Sequence, residues 1–583
     1  MLRRLVGVAA LVPFGCSAGV EDGAGGSSVV GATSATTVGQ DGSTASTASF
    51  MGTGEAPCPL GCSSDLHAVV DCNDDVVEAC SGLEGCNPIT LVCANACDNA
   101  TETKQSVGCE YFAVDMEMKD EDDCYAVFVA NTWDTAVHLQ LEVGGEPIAF
   151  GPFAQLPQGE GAALTYVLYD PSAGLAPGDV AILFLTGSAE SDVPCPVQPA
   201  LPAEGPTGTG IGRAFRLRTE APVVAYQMNP YGGGTAAVTG ASLLLPTSAW
   251  DTNYVAVNAA PAGILPPSLN IVAMDDDTTV TLLPEVPIEG GPGIPSGAAN
   301  VPLSFTLDRG RHAQITQDLE LTGSVIQTDK PVGVFAGHPC MNWPSGVSFC
   351  DHGEQMVPPL RALGSRYAAV MHRPRGDEPA FYRLIGAVDG TQLDYSSAVG
   401  GPATLGAGEH VMFSTDVPFV VESQDEDHPF LLFTYMTGSG VSATTDGKGD
   451  PDMVVGVPVA QYMTSYVFFA DPTYPETNLV LVRTKLAGEL HDVELDCAGT
   501  VTGWQPLGDL EWTRVDLTTG DFESVSGCST GRHQIRSKAP FGLWIWGWGT
   551  FDSNPPTPNV SYGYPGGMNL RFVNEVVIPA VPQ

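Results

Sequence analysis

The stretch GHPCMNWPSGVSFCDHGEQ, residues 337–355, gathers the side chains best suited to chemistry in this sequence. It holds His338, Cys340, Cys350, Asp351, His352 and Glu354, in a chain with only ten histidines. Imidazole and carboxylate donors suit zinc or another divalent ion, so His338, Asp351, His352 and Glu354 form a candidate metal set. With His338, His352 and Glu354 as its centre, such a set would support a metal-dependent hydrolase or lyase. The competing expectation is a loop pinned by a disulfide. Nine residues separate Cys340 from Cys350, and a bridge closing such a loop stabilises by about 3 kcal/mol in the chain-entropy model. Neighbours along a strand point to opposite faces, which works against convergence of Asp351, His352 and Glu354. A cysteine-closed loop is therefore the leading expectation, and catalysis the alternative.

Acidic runs are the second candidate. DMEMKDEDD (115–123), MDDDT (274–278) and SQDEDH (423–428) offer oxygen ligands for calcium. None has the spaced carboxylates and glycine of an EF-hand loop, so solvated turns that discourage strand-to-strand aggregation are expected instead. No cofactor is expected, calcium or zinc being the only ones these residue types admit. GCSTG (527–531) matches GxSxG around Ser529, but beside a cysteine and without the strand–turn–helix setting that motif needs. RGD (375–377) is a bare tripeptide. LWIWGWG (543–549) alternates three tryptophans, which fits a core strand; an open face would let them stack on sugars.

Composition narrows the partners. With 67 acidic and 23 basic residues the net charge is -44, which repels nucleic acid and anionic lipid. No phosphate-binding glycine loop or dinucleotide fingerprint occurs. Arg3, Arg4 and the apolar run Leu5 to Val12 form an export signal too short to span a bilayer. Gly15 directly precedes Cys16, making Cys16 the lipidation candidate and the only expected membrane contact; cleavage after CSA (16–18) is the alternative. The chain is thus expected outside the cell, as a secreted protein or a lipoprotein of the outer membrane or cell surface. Without Cys16, 14 of the 15 cysteines remain, an even number suited to disulfides in an oxidising compartment.

The chain then divides into four stretches. Residues 1–16 are the signal. Residues 17–56 are Gly-, Ser- and Thr-rich and too polar to bury a core, as expected of a flexible linker. Residues 57–98 carry seven cysteines at irregular spacing, expected as a disulfide module, with one cysteine pairing outside, to Cys109. Residues 99–583 lack helical periodicity and show short alternating runs such as LSFTL (303–307) between Gly, Pro and Asp turns. Cys124 with Cys195 and Cys497 with Cys528 are the further candidate pairs.

This last stretch repeats. Tyr111, Tyr254, Tyr367 and Tyr466 each open an apolar strand, the last three standing eight residues after Pro246, Pro359 and Pro458. Each unit closes on a polar turn, a proline (Pro222, Pro331, Pro429, Pro540) and an apolar strand, at spacings of 109, 98 and 111 residues. Four units of this length imply an all-β chain of tandem β-sandwich-like repeats, with a β-propeller-like ring as the alternative.

LLPTSAWDTNYVAV (244–257), LTGSVIQTDKPVGVFAGHPC (321–340), CDHGEQMVPP (350–359) and SYGYPGGMNL (561–570) resemble the N-terminal domain of the IgGFc-binding protein family. The pattern is that of exported myxobacterial members with a preceding Cys-rich module, and the resemblance runs over roughly residues 57–570. Animal members carry von Willebrand D-type modules with a self-cleaving Gly-Asp-Pro-His sequence. Here GDPD (449–452) lacks the histidine. The resemblance implies an exported, non-enzymatic binding or adhesion scaffold whose ligand is an unidentified extracellular protein or glycan.

Overall fold

The computed structural model describes residues 59–63, 66–73, 75–120, 122–233 and 238–581. Cys16 and the linker lie outside them. The fold is all-β, and its one α-helix among the described residues is Ala96–Thr103. Cys58 to Gln583 form one compact unit. Small sheets near the N-terminus are held by Cys62–Cys86 and Cys80–Cys93. Cys97–Cys109 then ties the helix to the first repeat, and Trp133 Nε1 of that repeat donates to Gly82 O at 2.7 Å.

Each repeat is built on one long strand whose two halves pair with different partners. These strands are Phe215–Met228, Val325–Met341 and Gly531–Trp548; in the third repeat the strand is broken into Phe419–Ser423 and Phe430–Met436. The break falls at the repeat proline, which has no N–H to give to a ladder. Elsewhere the same proline marks a register shift: Arg218 pairs with Glu110, but Val223 pairs with Gly108. In the third repeat the two halves lie in separate four-stranded sheets, and Tyr367, Leu393, Phe419 and Val421 of one pack with Tyr382, Leu384 and Leu432 of the other. That is a β-sandwich.

The two halves of each long strand differ in sequence for a physical reason. Past the proline, VVAYQM and FLLFTYM are buried at every position, because both sheet faces are covered. Partner strands on the other sheet alternate, as in Leu303–Leu307, where Leu303, Phe305 and Leu307 are buried and Ser304 and Thr306 exposed.

Each repeat ends in a short closing strand: Ala241–Leu243, Asp351–Met356, Asp452–Val455 and Ser561–Pro565. These pack first on second, second on third, third on fourth and fourth back on first. The sandwiches therefore close into a ring around their last strands, combining both architectures expected from the repeats. Closure is sealed where Ser106 N–H donates to Met568 O at 2.9 Å and Leu570 N–H to Lys104 O at 2.6 Å. Phe572 of the C-terminal tail lies between Arg361 and Lys104, 3.8 and 4.3 Å from its ring centre.

The repeated tyrosines fix the two halves of each sandwich. Tyr111, Tyr254 and Tyr367 donate their hydroxyls to Val223 O, Val332 O and Phe430 O, each at 2.6 Å. Tyr466 donates likewise to Phe541 O. Every acceptor is the carbonyl immediately after the repeat proline. The hydroxyls of Tyr254, Tyr367 and Tyr466 also accept the N–H three residues upstream. Removing one buried hydroxyl leaves a carbonyl and an N–H without their partner, so Tyr254→Phe is expected to lower unfolding stability by about 1–2 kcal/mol. A urea unfolding midpoint unchanged from wild type would contradict this role.

Candidate functional site

The opening stretch splits between three elements. Gly337 to Met341 end the long strand, residues 342–350 form a loop, and Asp351–Met356 is the closing strand. Cys340 and Cys350 are joined, with Cα atoms 5.1 Å apart. Cys124–Cys195 and Cys497–Cys528 are likewise bridged, and Cys72 is disulfide-bonded.

His338 pairs in register with Gly353, so alternation puts His338, Asp351, Gly353 and Gln355 on one face and His352 and Glu354 on the other. All four metal candidates are fully buried. No three of them bring donor atoms within 4.8 Å of one another. The metal-dependent hydrolase or lyase drawn from them thus has no assembled centre in the described residues. The imidazoles are held neutral: burial pushes His338 down to about 4, and burial with His338 nearby pushes His352 down to about 3. His338 Nδ1 accepts the Cys340 N–H at 3.0 Å. Glu354 accepts from Gln227 Nε2 at 2.6 Å, and burial raises its pKa well above the carboxylate range.

Among the described residues one other group meets the distance criterion, Asp496, Cys497 and His533. Cys497 is spent in its disulfide, so no thiolate is available there. His533 contacts Asp496 through Nδ1 at 2.9 Å and the backbone oxygen of Ser529 through Nε2 at 2.8 Å. The Ser529 hydroxyl turns instead to Thr530 O at 3.1 Å. GCSTG therefore presents no activated nucleophile. Arg375 of the RGD tripeptide is buried in an ion pair with Glu378 and donates to Lys448 O at 2.6 Å, so it is no surface ligand. Trp544, Trp546 and Trp548 are all core residues. In the acidic runs, Asp115 accepts Glu204 N–H and Asp123 accepts Val193 N–H, both at 3.0 Å. These carboxylates hold loops in place.

What Asp351 does is different and was not foreseen. Its Oδ1 accepts the Thr239 N–H at 3.2 Å and its Oδ2 the Ser561 hydroxyl at 2.7 Å. Thr239 Oγ1 in turn donates to Ser561 O at 2.7 Å, and Asp450 N–H donates to Ser561 Oγ at 3.2 Å. Thr239, Asp351, Asp450 and Ser561 come one from each repeat and meet at the ring axis. Each lies where a loop enters its closing strand, 17 to 21 residues after the repeat proline. Burial raises Asp351 well above the carboxylate range, with Asp450 adding repulsion, and it lifts Asp450 to about 7. GDPD, which supplies Asp450, was the available signal. Unequal loop lengths hid its equivalence to CDHG.

This knot roots the loops of the second, third and fourth repeats, which touch in turn. The loop after Met341 meets the third repeat where Gly438 N–H donates to Trp343 O at 2.7 Å. The third meets the fourth where Asn559 N–H donates to Gly447 O at 2.9 Å. Ile264, Phe349 and Phe551 stand exposed on these loops and on the adjoining turn before Ser268.

Such an architecture defines a disulfide-linked, all-β repeat protein whose loops of unequal length sit on a ring of closing strands. The chain belongs to the IgGFc-binding protein family: residues 240–547, a little over half of it, match that family's profile, described as IgGFc binding protein. The match opens just before the first closing strand, covers the second and third repeats, and runs through the fourth as far as Gly547, short of its closing strand. The first repeat, outside it, carries the same tyrosine bond and long strand. A Homo sapiens protein named IgGFc-binding protein is 26% identical over 234 residues, 39% of this chain but 4% of the human protein. The chain thus spans a small fraction of that relative's length. No solved structure matches the chain.

The buried carboxylates make stability depend on pH. Asp115, Asp123 and Asp471 are raised to about 6 and Asp450 to about 7, and Asp351, Glu354 and Asp452 are raised well above the ordinary carboxylate value. Burial comes first for each. A carboxylate whose folded pKa is raised holds its proton in the native state, so its contribution weakens as pH rises through that window. His312, His338, His352 and His372, lowered to about 3 or 4 by burial, oppose this only once pH falls through the unfolded histidine value. The melting temperature is therefore expected to rise as pH falls from about 8 to about 6.5. A calorimetric midpoint that falls over that interval would contradict the assignment.

Proposed function

We propose that this chain is an exported binding scaffold that engages an extracellular protein through the loops of its second, third and fourth repeats, rooted in the Thr239–Asp351–Asp450–Ser561 knot. The observation carrying the reading is that the second, third and fourth repeats each deliver one loop to the same end of the ring, with Phe349 and Phe551 exposed there. Exposed aromatic side chains on loops fixed by a rigid frame are the usual anchors of protein recognition. The charge of -44 favours a basic surface on the partner. Family membership supports binding over catalysis. The human relative's name makes the Fc fragment of immunoglobulin G the first probe.

Immobilised Fc is expected to capture the chain saturably, and the double variant Phe349→Ala with Phe551→Ala to weaken capture about tenfold or more. Absence of saturable capture would remove Fc as the partner, and equal capture by the double variant would remove the loop face. Export with attachment at Cys16 completes the proposal. Mass spectrometry of the mature N-terminus from a bacterial expression host should find Cys16 first and lipid-modified; a chain cut after Ala18 would rule the anchor out.

A further inference from the structure

At the seam between the first and fourth repeats lies a cleft of about 460 Å³. Strand Ala154–Gln158 and the turn at Asp179 form one wall, and Phe469 with residues 529–532 the other. Two bonds hold the walls together: Thr530 Oγ1 donates to Glu160 Oε2 at 2.6 Å, and Gly161 N–H donates to Pro472 O at 2.8 Å. Arg532 lines this space. Acidic residues outnumber basic ones almost three to one in this chain, yet among the described residues Arg532 makes no ion pair, and its Nε is buried without a hydrogen-bond partner. Burial pulls its pKa down, and only Asp496 opposes this from a distance. A partly desolvated guanidinium left without an anion is an open binding element, because its planar fork matches a carboxylate in two bonds.

The rest of the lining selects the ligand. Gln158, Asp179 and Ser529 stand exposed around the cleft and offer hydrogen-bond acceptors and donors suited to hydroxyl groups. Asp179 and Glu160 repel any second negative charge, which disfavours a polyanion or an acidic peptide. We propose that this cleft binds an acidic sugar, one carboxylate on a polyhydroxyl ring, with Arg532 receiving the carboxylate. Uronates and sialates share that chemistry. The site is separate from the loop face and does not depend on it.

The test is titration of the full chain with glucuronate, with N-acetylneuraminate, and with glucuronamide and glucose as uncharged controls, followed by calorimetry or saturation-transfer NMR. At least one acidic sugar is expected to bind, and which one does identifies the source. Its affinity should drop about tenfold or more in Arg532→Met, while Arg532→Lys keeps part of it. Unfolding midpoints of both variants establish that they are folded. If Arg532→Met is not folded, wild-type discrimination between glucuronate and glucuronamide decides. The proposal is overturned if neither acidic sugar binds, if glucuronamide binds as tightly as glucuronate, or if folded Arg532→Met binds like wild type.

Discussion

A phenolic hydroxyl bonded to the carbonyl behind a proline, made four times over, holds this protein together. The proline interrupts the strand ladder, so its long strand can leave one sheet and enter the other. Without a clamp that crossing point would be the weakest part of each sandwich, with backbone groups buried and unpaired. Tyr111, Tyr254, Tyr367 and Tyr466 reach across from the opening strand and take up the exposed carbonyl. Thr219 and Thr328 close the same bend locally by donating to Ala221 O and Lys330 O. The crossing then becomes a fixed corner, and everything after it is delivered in a fixed direction.

That direction is the ring axis. Past each corner the long strand carries an unbroken apolar run inward and hands the chain to a loop and a closing strand. Four closing strands meeting at one axis leave polar residues with no water to face, so they satisfy one another across repeats. Ser561 does this for two neighbours, accepting from Asp450 N–H and donating to Asp351. Both aspartates are buried, which raises the pKa of each, and Asp450 adds repulsion at Asp351. A proton held there lets the knot persist without two bare charges in a low-dielectric interior. The same reasoning explains why Asp351 and Glu354 serve as structure although their residue types suggest ligation.

Much of this was legible in the sequence, and the boundary is physical. Repeated phrases such as RTEAPVVAY and QTDKPVGVF state the corner directly, because proline, tyrosine and an apolar run each have one local reason to be there. All-β class and four units follow from them. Whether the units would form separate sandwiches or a ring was open, since ring closure depends on contacts between closing strands hundreds of residues apart. Residues 337–355 offered a metal set as the alternative to a cysteine-closed loop for a related reason. His338 and His352 are near in sequence, yet strand alternation sends them to opposite faces, while Thr239 and Ser561 are distant in sequence and bonded in space. Trp544, Trp546 and Trp548 were legible directly: an alternating aromatic run fits a core strand, and all three are buried.

Separation of corner from loop also explains how a chain can share a family's repeats without inheriting a particular ligand. The tyrosine–proline corners and the axial knot depend on buried bonds that tolerate little change. The segments between them, such as residues 342–350, need only begin and end at the right places. Cys340–Cys350 fixes one such segment covalently at its root, with Phe349 exposed directly beside the bridge. A ligand face assembled from exposed loop residues of this kind takes its specificity from the residues with the fewest structural obligations. Recognition can therefore diverge widely between relatives while the ring that presents it stays the same.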